Sequence, residues 1–201
     1  ETGLIVPLGE WVLGQALTQL RQWQMLPGRE ALWMAVNLSC NQLNRVDIDS
    51  TVATALAESG VDPATVHLEI TESVLMERID GSLETLNALR RLGVHLSVDD
   101  FGTGYSSLSY LKRLPVQTLK VDRTFTDGLG TDPHDTSIVR AISAMSDELG
   151  LELLAEGVET EAQLRELEAL GCRLGQGFWW SEPMAAGAAT LWLTTRTRRR
   201  H

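Results

Sequence analysis

Ser97-Val-Asp-Asp-Phe-Gly-Thr-Gly-Tyr-Ser-Ser-Leu108 is the stretch on which the reading of this chain turns. The apolar run Val94 to Val98 has the character of a buried strand, and it ends in Asp99-Asp100 before a loop punctuated by Gly102 and Gly104. Two carboxylates confined to one small volume raise each other's pKa and are costly to keep ionised. A divalent cation resolves that conflict, and hard carboxylate oxygens suit Mg²⁺ or Mn²⁺. The plainer alternative is an acidic turn that caps the following helix, and this segment alone does not choose between the two.

Outward from that stretch, short apolar strands alternate with amphipathic helices. Apolar residues at helical spacing (Leu13, Ala16, Leu17, Leu20) predict a helix over Leu4 to Gln24, followed by a strand from Leu32 that ends at Asn37. A helix is expected from Leu43 to Glu58, closing at Gly60, then a strand from Val66 to Ile70 carrying Glu69. Helix Ile79–Leu92 precedes the Val94 strand, and a short helix near Ser107 to Leu114 is cut by Pro115. Strand Thr118–Val121 carries Lys120 and leads to Asp122. Helix Ser137–Leu149, with Asp135 or Thr136 as its cap, and strand Leu151–Ala155 come next. Helix Thr160–Leu170 leads to the segment from Arg173 to Phe178. Glycines stop the helices at Gly93, Gly150 and Gly171. This alternation implies an α/β fold with a parallel sheet covered by helices.

The polar residues fall in a regular place. Asn37, Glu69, Asp99, Lys120, Glu156 and Gln176 each lie at or near the C-terminal end of an expected strand. Their separations of roughly 20 to 36 residues correspond to about one βα unit each. In a (β/α)₈ barrel, strand C-termini converge on one rim, and catalytic groups there come from several strands. Each residue alone has a modest alternative. Asn37 suits a turn, Lys120 a surface position, and Glu156 or Glu159 a helix N-terminus. Six such strand ends together predict a site.

Composition narrows the partners. With 201 residues the chain has room for one sizeable core, and no linker or low-complexity tract divides it. A net charge of −10 argues against a surface that coats nucleic acid, so no DNA partner is expected. It leaves room for a phosphorylated substrate, because bound cations invert the charge of an acidic pocket. Cys40 and Cys172 are too few for a disulfide framework or a zinc site and fit a reducing cytoplasm. His67, His95, His134 and His201 do not pair at metal-ligand spacing, and Trp179-Trp180 is read as packing material, the alternative being a pocket wall on which a base stacks. Residues 194–201, rich in arginine, are expected to be a disordered tail after a domain spanning 1–193. The start, Glu1-Thr-Gly, resembles neither a signal peptide nor a natural initiation site, so a piece of a longer protein is expected.

Several runs, in order, resemble the EAL-domain phosphodiesterases of bacterial cyclic-di-GMP signalling. They are Val36-Asn-Leu-Ser39, Leu68-Glu-Ile-Thr-Glu-Ser73, Asp99-Asp-Phe-Gly-Thr-Gly-Tyr-Ser-Ser-Leu108, Leu119-Lys-Val-Asp-Arg123, Ala155-Glu-Gly-Val-Glu-Thr160 and Gln176-Gly177. The resemblance implies a TIM-like (β/α) barrel, here incomplete, with the family's first two strands and the Glu-Ala-Leu ligand missing. It implies that Asn37, Glu69 and Asp99 hold one metal ion, and that Asp99, Asp100 and Glu156 hold a second. Lys120 corresponds to the lysine beside the attacking water, with Glu156 as a base. Glu72 corresponds to the glutamate that anchors the Asp-Asp-Phe-Gly loop, helped by the hydroxyls of Thr103, Ser106 and Ser107. Glu159 and Asp122 fall one layer behind the ligands, and Gln176 falls near the guanine end of the dinucleotide.

The function so implied is hydrolysis of cyclic-di-GMP to linear pGpG with Mg²⁺ or Mn²⁺. The expected setting is a homodimer in the cytoplasm, downstream of sensor or GGDEF-type domains that could be membrane-tethered. Without the upstream strands, the fragment alone is expected to be impaired. The alternatives are a receptor that binds the dinucleotide without cutting it, an idle interaction domain, or an unrelated enolase-type barrel. The retained carboxylates and Lys120 favour the hydrolase.

Overall fold

The computed structural model describes residues 4–77, 79–104 and 108–195, apart from the side chains of 77, 79–82 and 108. Helix α1 (Ile5–Gln24) buries Leu13, Leu17, Leu20 and Gln24 along one stripe, as its periodicity requires. Strand β1 (Met34–Asn37) opens a regular succession of short strands and covering helices. Helices α2 (Cys40–Leu43) and α3 (Ile48–Ser59) lead to β2 (Val66–Thr71), and α4 (Glu72–Glu77) and α5 (Ile79–Arg91) lead to β3 (His95–Phe101). Then come α6 (Leu108–Leu111), β4 (Thr118–Val121), α7 (Arg123–Thr126), α8 (Pro133–Leu149) and β5 (Glu152–Ala155). Helix α9 (Glu161–Ala169), β6 (Leu174–Gly175) and α10 (Ala186–Thr195) complete the described chain.

Among the described residues six strands, all parallel, lie in sequence order, each paired with the next. They form a curled, open half-barrel with two fewer strands than a closed (β/α)₈ barrel. The strand residues alternate between two environments. Leu68, Ile70, Leu96, Val98, Leu119 and Val121 are buried on the helix-covered side. Their alternates, including His67, Glu69, His95, Ser97, Thr118 and Lys120, line the concave side. Helices therefore supply the apolar core, and the concave face is left to polar chemistry. Among the described residues, no helix is long and apolar enough to cross a membrane.

Several elements differ locally from the sequence expectations. The helix expected from Leu43 to Glu58 is broken, because Ser39 and Gln42 close a reciprocal capping box that starts a separate turn at Cys40. Leu43 and Ile48 are both buried, yet on one continuous helix they would point about 140° apart. The intervening turn, held by Arg45 on Asp47 at 2.6–2.7 Å, lets both face inward. Strand β3 continues through the acidic pair to Phe101. Helix α8 begins at Pro133, where Asp132 accepts the His134 N–H at 2.8 Å, so the cap is neither Asp135 nor Thr136. Helices α4, α7 and α10 had no counterpart in the apolar periodicity. Helix α10 runs past residue 193 and is clasped to the end of α1: Trp23 Nε1 donates to Thr190 Oγ1 at 2.8 Å, and Arg29 donates to the Leu193 carbonyl. The arginine-rich end from 196 onward lies outside the described residues.

Candidate active site

Successive residues on a strand point to opposite faces, so Asp99 and Asp100 would ordinarily part company. The backbone prevents this. The β3–β4 register shifts between Val98 and Phe101, and Asp100 is the one described non-glycine residue at positive φ, +54°. Asp tolerates this left-handed conformation better than most residues, and a bulge of this kind re-aims a side chain. Carboxylate oxygens of Asp99, Asp100 and Glu156 consequently lie within 4.8 Å of one another.

Lys120 sits in the middle of the acidic groups. Its side chain is 2% exposed, and Nζ donates to Glu69 Oε2 at 2.8 Å. The same ammonium lies 2.8 Å from Asp99 Oδ1 and 2.6 Å from Glu156 Oε1. Three strands, β2, β3 and β5, thus present a carboxylate to one buried cation on β4. Burial opposes the charge on Lys120, but the carboxylates of Asp99, Glu156 and Glu69 around the ammonium outweigh it and raise its pKa. Burial raises the pKa of Glu69 and of Glu156, with Lys120 acting in the opposite sense on each. Asp100 is raised by burial first, then by the charges of Asp99 and Asp122.

The remaining residues singled out by the sequence lie at neighbouring strand ends and in the loops that leave them. Asn37 is exposed at the end of β1, in register with Glu69. Glu72, 3% exposed at the start of α4, accepts the Gly102 N–H at 2.9 Å. Gly104 passes so close that a Cβ there would lie 2.7 Å from Glu72 Oε1. Thr103 Oγ1 donates to the Asp100 carbonyl at 2.9 Å; Ser106 and Ser107 fall outside the described residues. Asp122 accepts the Thr124 N–H and hydroxyl at 2.9 and 2.6 Å. Gln176 donates to Glu156 Oε1 at 3.3 Å from the neighbouring strand end. Trp180 packs over Gly175 and against the core, whereas Trp179 is exposed.

Two features escaped the sequence reading. Arg123 bonds Glu159 at 2.8 Å, and its stem lies against Gly157, bracing the loop that starts at Glu156. Its place directly after Asp122 was the available signal. Deeper on the concave face, Trp33, His67 and His95 form one stack with centroid spacings of 4.3 and 4.6 Å. Parallel register sets His67 opposite His95, and their rings stack. Burial, with the neighbouring His95, lowers the His67 pKa to about 4.

The donor set suits a hard divalent cation. Its atoms are carboxylate oxygens with an amide at the rim, and Asp99 Oδ1 is buried without an aligned hydrogen-bond partner.

Comparison with known proteins agrees with this architecture. The EAL domain model matches residues 1–183, and the chain belongs to the EAL domain family. The bifunctional diguanylate cyclase/cyclic di-GMP phosphodiesterase MucR of Pseudomonas aeruginosa is 49% identical over 187 residues, which is 92% of this chain and 27% of MucR. The solved PaMucR phosphodiesterase–c-di-GMP complex superposes with a TM-score of 0.89 at 47% identity, covering 94% of this chain and 76% of that one. The manganese/cy-diGMP complex of Klebsiella pneumoniae BlrP1 gives 0.84 at 29% identity, covering 92% of this chain and 47% of that one. The chain spans about a quarter of the length of the curated relatives it matches.

Proposed function

We propose that this chain is a phosphodiesterase domain that hydrolyses cyclic-di-GMP to linear pGpG with the aid of Mg²⁺ or Mn²⁺. The observation that carries the reading is the convergence of Glu69, Asp99 and Glu156 from three strand ends on the buried Lys120, with the Asp100 carboxylate clustered beside those of Asp99 and Glu156. Asn37, Glu69 and Asp99 would hold one cation, and Asp99, Asp100 and Glu156 the other. When bound, such a cation pair stabilises negative charge on the phosphodiester and acidifies water. Glu156, whose pKa is raised chiefly by burial, accepts a proton from the attacking water. Lys120 supplies fixed positive charge where the phosphoryl oxygens become more negative. Glu72 holds the loop that carries Asp100, Asp122 and Glu159 support the neighbouring strand ends, and Gln176, bonded to Glu156, would contact a guanine.

The bifunctional name of MucR, and the modest share of it matched here, support a place beside sensor or GGDEF-type domains in a cytoplasmic assembly. We place a homodimer of the parent protein in the same setting. The test is incubation with cyclic-di-GMP and Mn²⁺ or Mg²⁺, followed by chromatography of the products. Appearance of pGpG is the expected result, at a reduced rate for this chain compared with a version extended upstream. Binding without cleavage in both versions would overturn the hydrolase reading in favour of a receptor.

A further inference from the structure

We propose that Lys120 is the resident counter-cation of the acidic centre, and that a divalent ion enters only by dislodging its ammonium from at least one carboxylate. The inference rests on the divalent-cation reading above and concerns how the site is loaded. Nζ is within 2.6–2.8 Å of Glu69, Asp99 and Glu156, and these three residues belong to the two proposed ligand sets. A buried cation with three carboxylate neighbours fills the position from which a metal would reach the same oxygens. Asp99 Oδ1 shows that the filling is imperfect: it is buried, 2.8 Å from Nζ, and lacks an aligned hydrogen bond. Asp100 adds a further carboxylate oxygen within 4.8 Å of those of Asp99 and Glu156. One residue therefore has two consequences. The ammonium lets four acidic side chains share a small volume before any metal arrives, and its charge and contacts oppose the metal when it does.

The experiment is Mn²⁺ binding to the full chain, read by electron paramagnetic resonance of the free ion at pH 8. Lys120→Met is expected to bind Mn²⁺ roughly tenfold or more tightly than wild type, because one opposing charge has gone. Circular dichroism establishes that the variant is folded. Equal or weaker binding by folded Lys120→Met, or no binding by either protein, overturns the proposal. If the variant does not fold, wild type decides the matter by lysine-ammonium NMR. The Lys120 signal is expected to be exchange-protected without metal and to shift or lose protection on Mg²⁺ saturation. An unchanged signal at saturation overturns the proposal. A wild-type chain that passes these tests and still cleaves nothing sinks the phosphodiesterase reading alone.

Discussion

The Glu72 carboxylate and the Gly102 backbone are joined across 2.9 Å, tying the start of α4 to the loop that leaves β3. The same carboxylate lies where a Cβ on Gly104 would be, 2.7 Å from Oε1. Loop position, and with it the direction of Asp100, depends on a side chain roughly 30 residues earlier, a dependence that an anchoring contact transmits as orientation. Gly104→Ala is expected to push the loop off Glu72 and reduce cyclic-di-GMP turnover about tenfold, with the melting temperature little changed. Glu72→Ala should do the same and also speed amide exchange at Gly102, measured by hydrogen–deuterium exchange. Unchanged exchange at Gly102 would argue against the anchoring role.

Asp100→Asn separates charge from backbone. Asn accepts left-handed φ nearly as well as Asp, so the +54° conformation is retained, while one carboxylate leaves a crowded acidic cluster. The melting temperature is expected to stay level or rise by a few degrees, and turnover to fall by about a hundredfold or more. Differential scanning fluorimetry and product chromatography read the two quantities. A variant with a clearly lowered melting temperature and intact turnover would contradict both halves.

Gly177 approaches the Val158 backbone so closely that a Cβ would overlap it, and Val158 in turn donates its N–H to the Gln176 carbonyl at 3.0 Å. Gly177→Ala must separate these two strand-end loops. We expect a loss of about 2 kcal/mol or more in urea denaturation, together with displacement of Gln176 from Glu156. A variant as stable as wild type would show that the loops yield easily.

His67 gives a pH dependence of defined sign. Its pKa falls from 6.5 in an ordinary setting to about 4 in the fold, so the unfolded chain takes up a proton first as the medium is acidified. This contribution to stability is full above pH 6.5 and is lost as pH falls towards 4. Glu69, Asp100 and Glu156, with raised pKa values, act in the opposite direction and gain stability on protonation. His67→Phe keeps an aromatic ring between Trp33 and His95 and removes only the titration. Between pH 6.5 and 4 its melting temperature should fall less than that of wild type. Parallel curves for the two proteins would count against the prediction.

Strand ends, helix stops and the acidic motif were legible in the sequence because they depend on local rules. Apolar runs of four to six residues gave β2, β4 and β5 nearly as they stand, and Gly60, Gly93 and Gly150 end helices at positive φ. The positions of Asn37, Glu69, Asp99, Lys120 and Glu156 at strand C-termini followed from the same pattern. Short elements were not legible. Helices α4 and α7 span one to two turns and carry no readable period, and α10 is held by Trp23 and Arg29 from the far end of the chain.

Composition and periodicity determined by themselves that parallel strands would carry their acidic residues to one rim, since a strand's pleat and a βα unit's length leave few alternatives. Only the tertiary structure decided that Asp99 and Asp100 face the same way, that Lys120 lies among three carboxylates, and that His67 stacks on His95. Each of these depends on a bulge, a register or an approach between strands about 20 to 50 residues apart, and local propensity carries no information about such distances.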